Sequence, residues 1–220
     1  MGDFSPETLM IGFISYLVFL FSTTCHEAAH AFVAARGGDK TAAMGGQVTL
    51  NPIPHIRREP FGMVVIPLLS FFFAGGMIGW ASAPYDPLWE RRYPRRAGWM
   101  ALAGPATNYT LMILAAIAIR AARYFHIFHG KDLSGPMGFL ATALMIVFML
   151  NLLLGTFNLL PVPPLDGSAG IMVFMSESRA QRYLDFLRGN NFAMVGLLVG
   201  LVVFQRIFPY VQNFAVRLLY

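Results

Sequence analysis

Five long apolar stretches constrain the fold of this chain more than any other feature of its sequence. They lie at about 9–35, 61–83, 97–120, 137–160 and 191–208. Each approaches the roughly 20 residues that an α-helix needs to cross the hydrocarbon core of a bilayer. Only 12% of the residues are charged, about half the share that is usual in a soluble domain. The sequence therefore predicts an all-α polytopic membrane protein, a single domain over residues 1–220 with about 4–5 transmembrane helices.

The basic character of the chain is explained by the membrane. The net charge is +5, but Lys and Arg flank the apolar stretches, as membrane topology requires. We therefore expect the lipid bilayer, and no nucleic acid, as a partner of these residues. Cys25 is the single cysteine, which excludes an intrachain disulfide. We interpret it as packing volume, with metal binding as the alternative.

The strongest local motif is His26-Glu27-Ala28-Ala29-His30, which has the H-E-x-x-H spacing. Because residues i and i+4 share one face of a helix, both imidazoles can bind one metal ion. Glu27 lies one residue further round, close enough to accept a proton from water that zinc has made more acidic. The alternative is a polar patch facing the interior of a bundle, but a carboxylate at membrane depth costs about 3 kcal/mol and is usually functional.

A catalytic zinc site needs a third protein ligand, and Asp166 has the surroundings that best suit one. It follows an apolar span and the run Asn158-Leu159-Leu160-Pro161-Val162-Pro163-Pro164-Leu165. The prolines break the helix, and irregular backbone at membrane depth is tolerated only where it lines a cavity. We therefore expect Asp166 to lie in such a cavity.

These residues resemble the site-2 protease family of intramembrane zinc metalloproteases, in its small prokaryotic form without a PDZ domain. The matching segments are residues 26–30, 103–108 and 158–167. The resemblance implies that one Zn²⁺ per chain is held by His26, His30 and Asp166, with Glu27 as the general base. It also implies that Asn108 and Asn158 touch the substrate backbone or stabilise the transition state. The alternative for each asparagine is an interhelical hydrogen bond.

The segment Gly45-Gly46-Gln47-Val48-Thr49-Leu50-Asn51-Pro52 predicts a short β element near 46–50, because a β-prone run lies between glycines and an Asn-Pro turn. Such a strand could pair with an extended substrate by strand addition.

The position of the predicted ligands constrains the topology. His26, His30 and Asp166 all lie at the carboxyl ends of their spans, so those ends must share one side of the membrane. An odd number of crossings must then separate them, and we expect 61–83, which Pro67 and Gly75-Gly76 interrupt, to be re-entrant. Most loop Lys and Arg residues then fall on the active-site side, which predicts a cytoplasmic orientation in a prokaryotic cell membrane.

The predicted function is hydrolysis of peptide bonds in or near transmembrane segments of membrane proteins. Regulated proteolysis and clearance of signal-peptide remnants both fit this activity. Two alternatives are a membrane metal or proton transporter, since His and carboxylates in spans also mark ion paths, and an inactive scaffold that binds membrane helices. The sequence leaves open the oligomeric state and whether 191–220 is one span.

Overall fold

The structure is a computed structural model that describes residues 5–127, 135–189 and 192–219. In chain order its helices are α1 (Pro6–Gly37), α2 (Thr41–Met44), α3 (Pro52–Arg58), α4 (Ile66–Ala74, preceded by a π-helical turn at Phe61–Val65), α5 (Pro87–Arg92), α6 (Pro94–Tyr124), α7 (Pro136–Asn158), α8 (Asp166–Gly170, followed by a 3₁₀ turn at Ile171–Phe174), α9 (Glu177–Gly189) and α10 (Ala193–Arg217). Among the described residues, α1, α6, α7 and α10 are long and apolar enough to cross a membrane. The predicted helical bundle is confirmed, with four such helices.

The central helix of the bundle is α6, which packs on α1 along one side and on α7 along the other. Met112 and Ala115 of α6 share a buried cluster with Phe148 and Leu152 of α7. Ala215 joins the same cluster from α10. Because α6 touches both neighbours along its length, side chains from three helices can meet at its middle.

The outer faces of the long helices are apolar. Phe13 is 59% exposed and Val202 is 63% exposed, and α10 continues as one helix through Pro209 while burying little of its surface. Contiguous apolar surface of this kind is unusual on a soluble protein and is expected where lipid surrounds the bundle.

The segment between α3 and α5 folds back on itself. The chain runs along the π-helical turn and α4, reverses at Gly75, whose φ is +68°, and returns without regular secondary structure over residues 77–86. The Trp80 amide donates to the Gly62 carbonyl over 3.1 Å, and Arg58 Nε donates to the Ser82 carbonyl over 3.1 Å. The two ends of the segment therefore lie side by side, which is the shape that a re-entrant segment needs; its depth in a bilayer stays a prediction.

The predicted β element near 46–50 is wrong. Within the described part of the chain, residues 48–50 form bends, and none of residues 46–50 pairs with a strand. The Thr49 carbonyl lies 3.1 Å from His55 Nε2, and the Asn51 amide donates to Thr49 Oγ1 over 3.1 Å. Local side-chain bonds of this kind compete with a β ladder, and β-propensity has little effect without a neighbouring strand.

Candidate metal centre

Two histidines of α1 lie against each other in the interior of the bundle. His26 and His30 are each 7% exposed, and their Nε2 atoms are 2.9 Å apart. They share a face because four residues advance a helix by slightly more than one turn. The H-E-x-x-H motif therefore lies on a helix, as predicted, with both imidazoles directed at one point.

Asp166, 140 residues away in sequence, reaches the same point. Its Oδ2 atom lies 3.1 Å from His26 Nε2 and 3.4 Å from His30 Nε2. The bend after α7 turns the chain back, and α8 begins at Asp166 itself. Gly167 allows this approach, because a Cβ atom there would lie 2.2 Å from the Leu159 carbonyl oxygen.

The imidazole rings are oriented by their other nitrogens. His30 Nδ1 lies 2.7 Å from the Met100 carbonyl oxygen. A carbonyl can only accept, so Nδ1 carries the proton, and in the neutral ring Nε2 then has a lone pair directed at the centre. His26 Nδ1 lies 2.6 Å from Asn108 Oδ1. Both partners belong to α6, which therefore supplies the hydrogen bonds that orient the two rings.

Gly104 of α6 provides the space for the two rings. A Cβ atom at this position would lie 2.4 Å from His26 Nε2 and 2.5 Å from His30 Nε2. These separations are far below van der Waals contact, so any side chain here would occupy the volume between the histidines and α6. The role of Gly104 follows from a contact between helices, which no local sequence pattern reveals.

The donor set and its spacing fit a zinc ion. Two imidazole nitrogens and one carboxylate oxygen, with an open fourth position, are typical of catalytic zinc. Two ligands, each about 2.0–2.1 Å from a tetrahedral ion, lie about 3.3 Å from each other. The observed separations of 2.9, 3.1 and 3.4 Å are close to that value.

Glu27 borders the same centre and is 6% exposed. One of its carboxylate oxygens and one ring nitrogen of each histidine all lie within 4.8 Å of one another. It is thus close enough to exchange a proton with water beside His26 and His30. Asp166 makes the shorter contacts to the two Nε2 atoms, so the geometry favours Asp166 over Glu27 as the third ligand.

The two asparagines that the family resemblance implies occupy different environments. Asn108 is fully buried, and its Nδ2 donates to Asn151 Oδ1 of α7 over 2.9 Å. The interhelical hydrogen bond considered as the alternative is therefore present. Asn158, half-buried at the end of α7, donates from Nδ2 to the Leu154 carbonyl over 3.1 Å. A substrate contact by Asn108 or Asn158 stays a prediction.

Asn151 was not predicted, although an amide within an apolar span is a signal that could have drawn attention to it.

An apolar groove of 360 Å³ lies between α1 and residues 48–50. One wall is the flank of α1, with Ala29 next to His30, and the other is the bent segment that includes Thr49. Residues that line it are Cys25, Ala28, Ala29, Phe32, Val48, Thr49, Leu50 and Thr107. The ring of His55, 1% exposed, holds the Thr49 carbonyl. Cys25 lines this wall and is not one of the three residues whose donor atoms converge. Its position agrees with its interpretation as packing volume.

Comparison with known proteins gives consistent results. The family model for peptidase family M50 matches residues 14–203. YwhC of Bacillus subtilis, whose name describes it provisionally as a zinc metalloprotease, is 35% identical over 189 residues, which cover 80% of each chain. Rip2 of Mycobacterium tuberculosis, named in the same way, is 36% identical over 181 residues, which cover 82% of this chain and 63% of Rip2. This chain thus aligns with less than two thirds of Rip2. No solved structure gives a significant match.

Proposed function

The chain belongs to peptidase family M50, and on that premise we propose a role in peptide-bond hydrolysis for each residue of its metal centre. It is an intramembrane zinc metalloprotease and an integral membrane protein. We propose His26, His30 and Asp166 as the zinc ligands and Glu27 as the general base. The convergence of three donor atoms within 3.4 Å of one another, from the distant helices α1 and α8, is the observation that carries this assignment.

The catalytic step follows from the placement of Glu27. A bound zinc ion supplies Lewis acidity, which polarises the scissile carbonyl and acidifies water. Glu27 takes one proton from the water as its oxygen forms the new bond to the carbonyl carbon. It then delivers that proton to the amide nitrogen, which leaves as an amine when the C–N bond breaks. The buried position of Glu27 supports this role, because a carboxylate at membrane depth is retained where it has a function. The Asp166 carboxylate oxygen lies beside the two histidine Nε2 atoms, where a zinc ligand is needed. We therefore do not assign the proton transfer to Asp166.

The substrate must reach this site in an extended form. A transmembrane helix keeps its carbonyl groups in internal hydrogen bonds, so it has to unwind locally before water can attack. The groove between α1 and residues 48–50 is apolar, and Ala29, the neighbour of His30 in sequence, lines it. We assign it to an apolar side chain of the substrate next to the scissile bond. Its wall is held by the bond from His55 to Thr49, which pre-organises it for binding.

The assignment of the groove has its own test. Ala29→Leu fills the groove from α1, one residue away from the ligand His30. We expect slower cleavage of substrates with a large apolar residue beside the scissile bond, little change for substrates with alanine there, and unchanged zinc content. An equal effect on both substrates would show that the groove does not determine substrate specificity.

The orientation we propose places the metal centre toward the cytoplasm of a prokaryotic cell membrane. The carboxyl end of α1 and the amino end of α6 carry Arg36, Arg95 and Arg96, and positively charged flanks favour the cytoplasmic side. The return of the 61–82 segment to its starting end supports placing α3 and α5 on that side as well.

Comparative membrane proteomics tests the proposed function as a whole. Cells that carry Glu27→Gln should accumulate membrane proteins or remnant peptides that wild-type cells cut, because substrate still binds while proton transfer is lost. Glu7→Gln, an exposed change near the start of the same helix, is the matched control and should accumulate none. Identical membrane proteomes for wild type and Glu27→Gln would count against proteolysis and would favour an inactive scaffold.

A further inference from the structure

The two histidines differ in how their proton is placed. His30 Nδ1 faces the Met100 backbone carbonyl over 2.7 Å, and a backbone carbonyl can only accept. His26 Nδ1 faces the side-chain amide of Asn108 over 2.6 Å. An amide can present either its oxygen or its NH₂ group. The tautomer of His26 therefore depends on whatever fixes the orientation of Asn108.

Asn151 of α7 is the residue that contacts the other end of the Asn108 amide. It is fully buried, and the two amides are joined by a 2.9 Å bond. The far end of Asn151 lies 2.9 Å from the Val147 carbonyl oxygen and 2.9 Å from Ser22 Oγ of α1. The chain of contacts thus crosses all three central helices and ends on a backbone carbonyl.

That terminal carbonyl determines every orientation along the chain. The Val147 carbonyl can only accept, so the NH₂ group of Asn151 must face it. The Asn151 oxygen then faces Asn108, and the Asn108 NH₂ group must donate to it. The remaining Asn108 oxygen faces His26 Nδ1, which must carry the proton. We propose that Asn151 is a positioning residue that sets the tautomer of His26 and so leaves its Nε2 lone pair free for zinc.

The opposite orientation of Asn108 would disable the ligand. An NH₂ group directed at His26 Nδ1 needs a lone pair on that nitrogen, which moves the ring proton to Nε2. That proton would then point at the site shared with His30 and Asp166, where a ligand must offer a lone pair. A buried amide that loses its partner is also unfavourable, so the network favours one arrangement strongly. This inference rests on the proposed role of His26 as a ligand.

The test uses two substitutions of Asn151 in the full-length protein in detergent micelles. Asn151→Leu keeps the number of side-chain heavy atoms and the branch at Cγ but offers Asn108 no acceptor. Asn151→Asp offers Asn108 an acceptor oxygen whether or not its carboxyl group is ionised. We expect Asn151→Leu to weaken zinc binding by about 10–100-fold, the usual effect of losing an outer partner of a metal ligand. Asn151→Asp should bind zinc close to the wild-type level, even if it is less stable, because its contact with Val147 is altered.

A matched control distinguishes a positioning role of Asn151 from a role in packing α6 against α7. Tyr109 and Thr156 form another hydrogen bond between α6 and α7, 3.0 Å long, that does not involve the histidines. Thr156→Val removes it and should leave zinc affinity unchanged. Zinc affinity is measured by competition with a chelator, and the free energy of unfolding of each variant is measured beside it.

A second readout does not require zinc. Nitrogen NMR of ¹⁵N-histidine-labelled, zinc-free protein reports the tautomer of each ring, and the His26 signals are identified by their loss in His26→Gln. We expect the Nδ1-protonated form of His26 in wild type and in Asn151→Asp, and a mixture in Asn151→Leu. If wild type shows this tautomer but binds no zinc, the proposed function fails while the positioning role holds. If folded Asn151→Leu keeps wild-type zinc affinity and tautomer, or if Asn151→Asp loses both, the positioning role is overturned.

Discussion

Gly104 of α6 lies so close to His26 of α1 that a Cβ atom at position 104 would be 2.4 Å from the histidine Nε2. The metal centre therefore lies at a point where α1 and α6 approach each other closely. Small residues that let helices approach closely are common in membrane bundles. Here the absent side chain also makes room for the ligands.

Gly104→Ala should abolish zinc binding without unfolding the protein. Alanine favours a helix over glycine by about 1 kcal/mol, so α6 itself gains, but the added methyl group enters the space of His26 and His30. Zinc content by mass spectrometry and helicity by circular dichroism are the measurements. Gly135→Ala, where no atom of the described residues lies within 4 Å of the added atom, is the control. Stoichiometric zinc in Gly104→Ala would contradict the packing described.

Glu27→Gln should keep zinc and lose activity. The amide is close in size to the carboxylate but cannot accept a proton from water, and removal of a general base lowers rates by about 10²–10⁴-fold. Cleavage of a membrane-protein substrate and zinc content are measured on the same preparation. Loss of both zinc and activity would indicate that Glu27 is a zinc ligand and not the general base.

Arg188→Ala should destabilise the protein more than Asp185→Ala. Arg188 of α9 pairs with Glu90 of α5, whose side chain is 6% exposed, whereas Asp185 pairs with Arg91 at a site where both side chains are about half exposed or more. A buried carboxylate left without its partner costs more than the about 1–3 kcal/mol of a neutral polar group, whereas an exposed pair contributes less than about 1 kcal/mol. The free energy of unfolding in detergent is the measurement; equal effects would show that the Glu90 pair contributes no more than a surface pair.

Cysteine labelling tests the topology. In a Cys25→Ala background, Arg57→Cys and Arg92→Cys should react with a membrane-impermeant reagent from the same face, because the segment between them returns to its starting end. Phe125→Cys, beyond the far end of α6, should react from the opposite face. Labelling of positions 57 and 92 from opposite faces would mean that 61–83 crosses fully.

The sequence predicts those parts of the fold and site that depend on local patterns. Hydropathy places α1, α6, α7 and α10, because a span must be apolar over its whole length. Spacing places His26 and His30 on one face, and the proline-rich break identifies Asp166. These features need only a short window of sequence, which is why they are recovered.

The parts that were missed depend on contacts between distant segments. The bent segment at 47–51 has β-prone residues, but its backbone is bound by His55 and Thr49 in place of a strand. Gly104 lies in the matching segment 103–108 and Asn151 is an amide within an apolar span, but the contacts that give them a role form only when α1, α6 and α7 are packed together. Their roles arise from side chains 43 to 129 residues apart, a relation that no local pattern contains.

Metal content of wild type and Asp166→Ala, measured beside proteolysis, is the most direct test of the zinc centre. We expect one zinc ion per wild-type chain, with zinc and proteolysis both largely lost in Asp166→Ala and both retained in Asp185→Ala. Asp166→Ala protein that holds stoichiometric zinc and still cuts a membrane substrate would contradict this expectation.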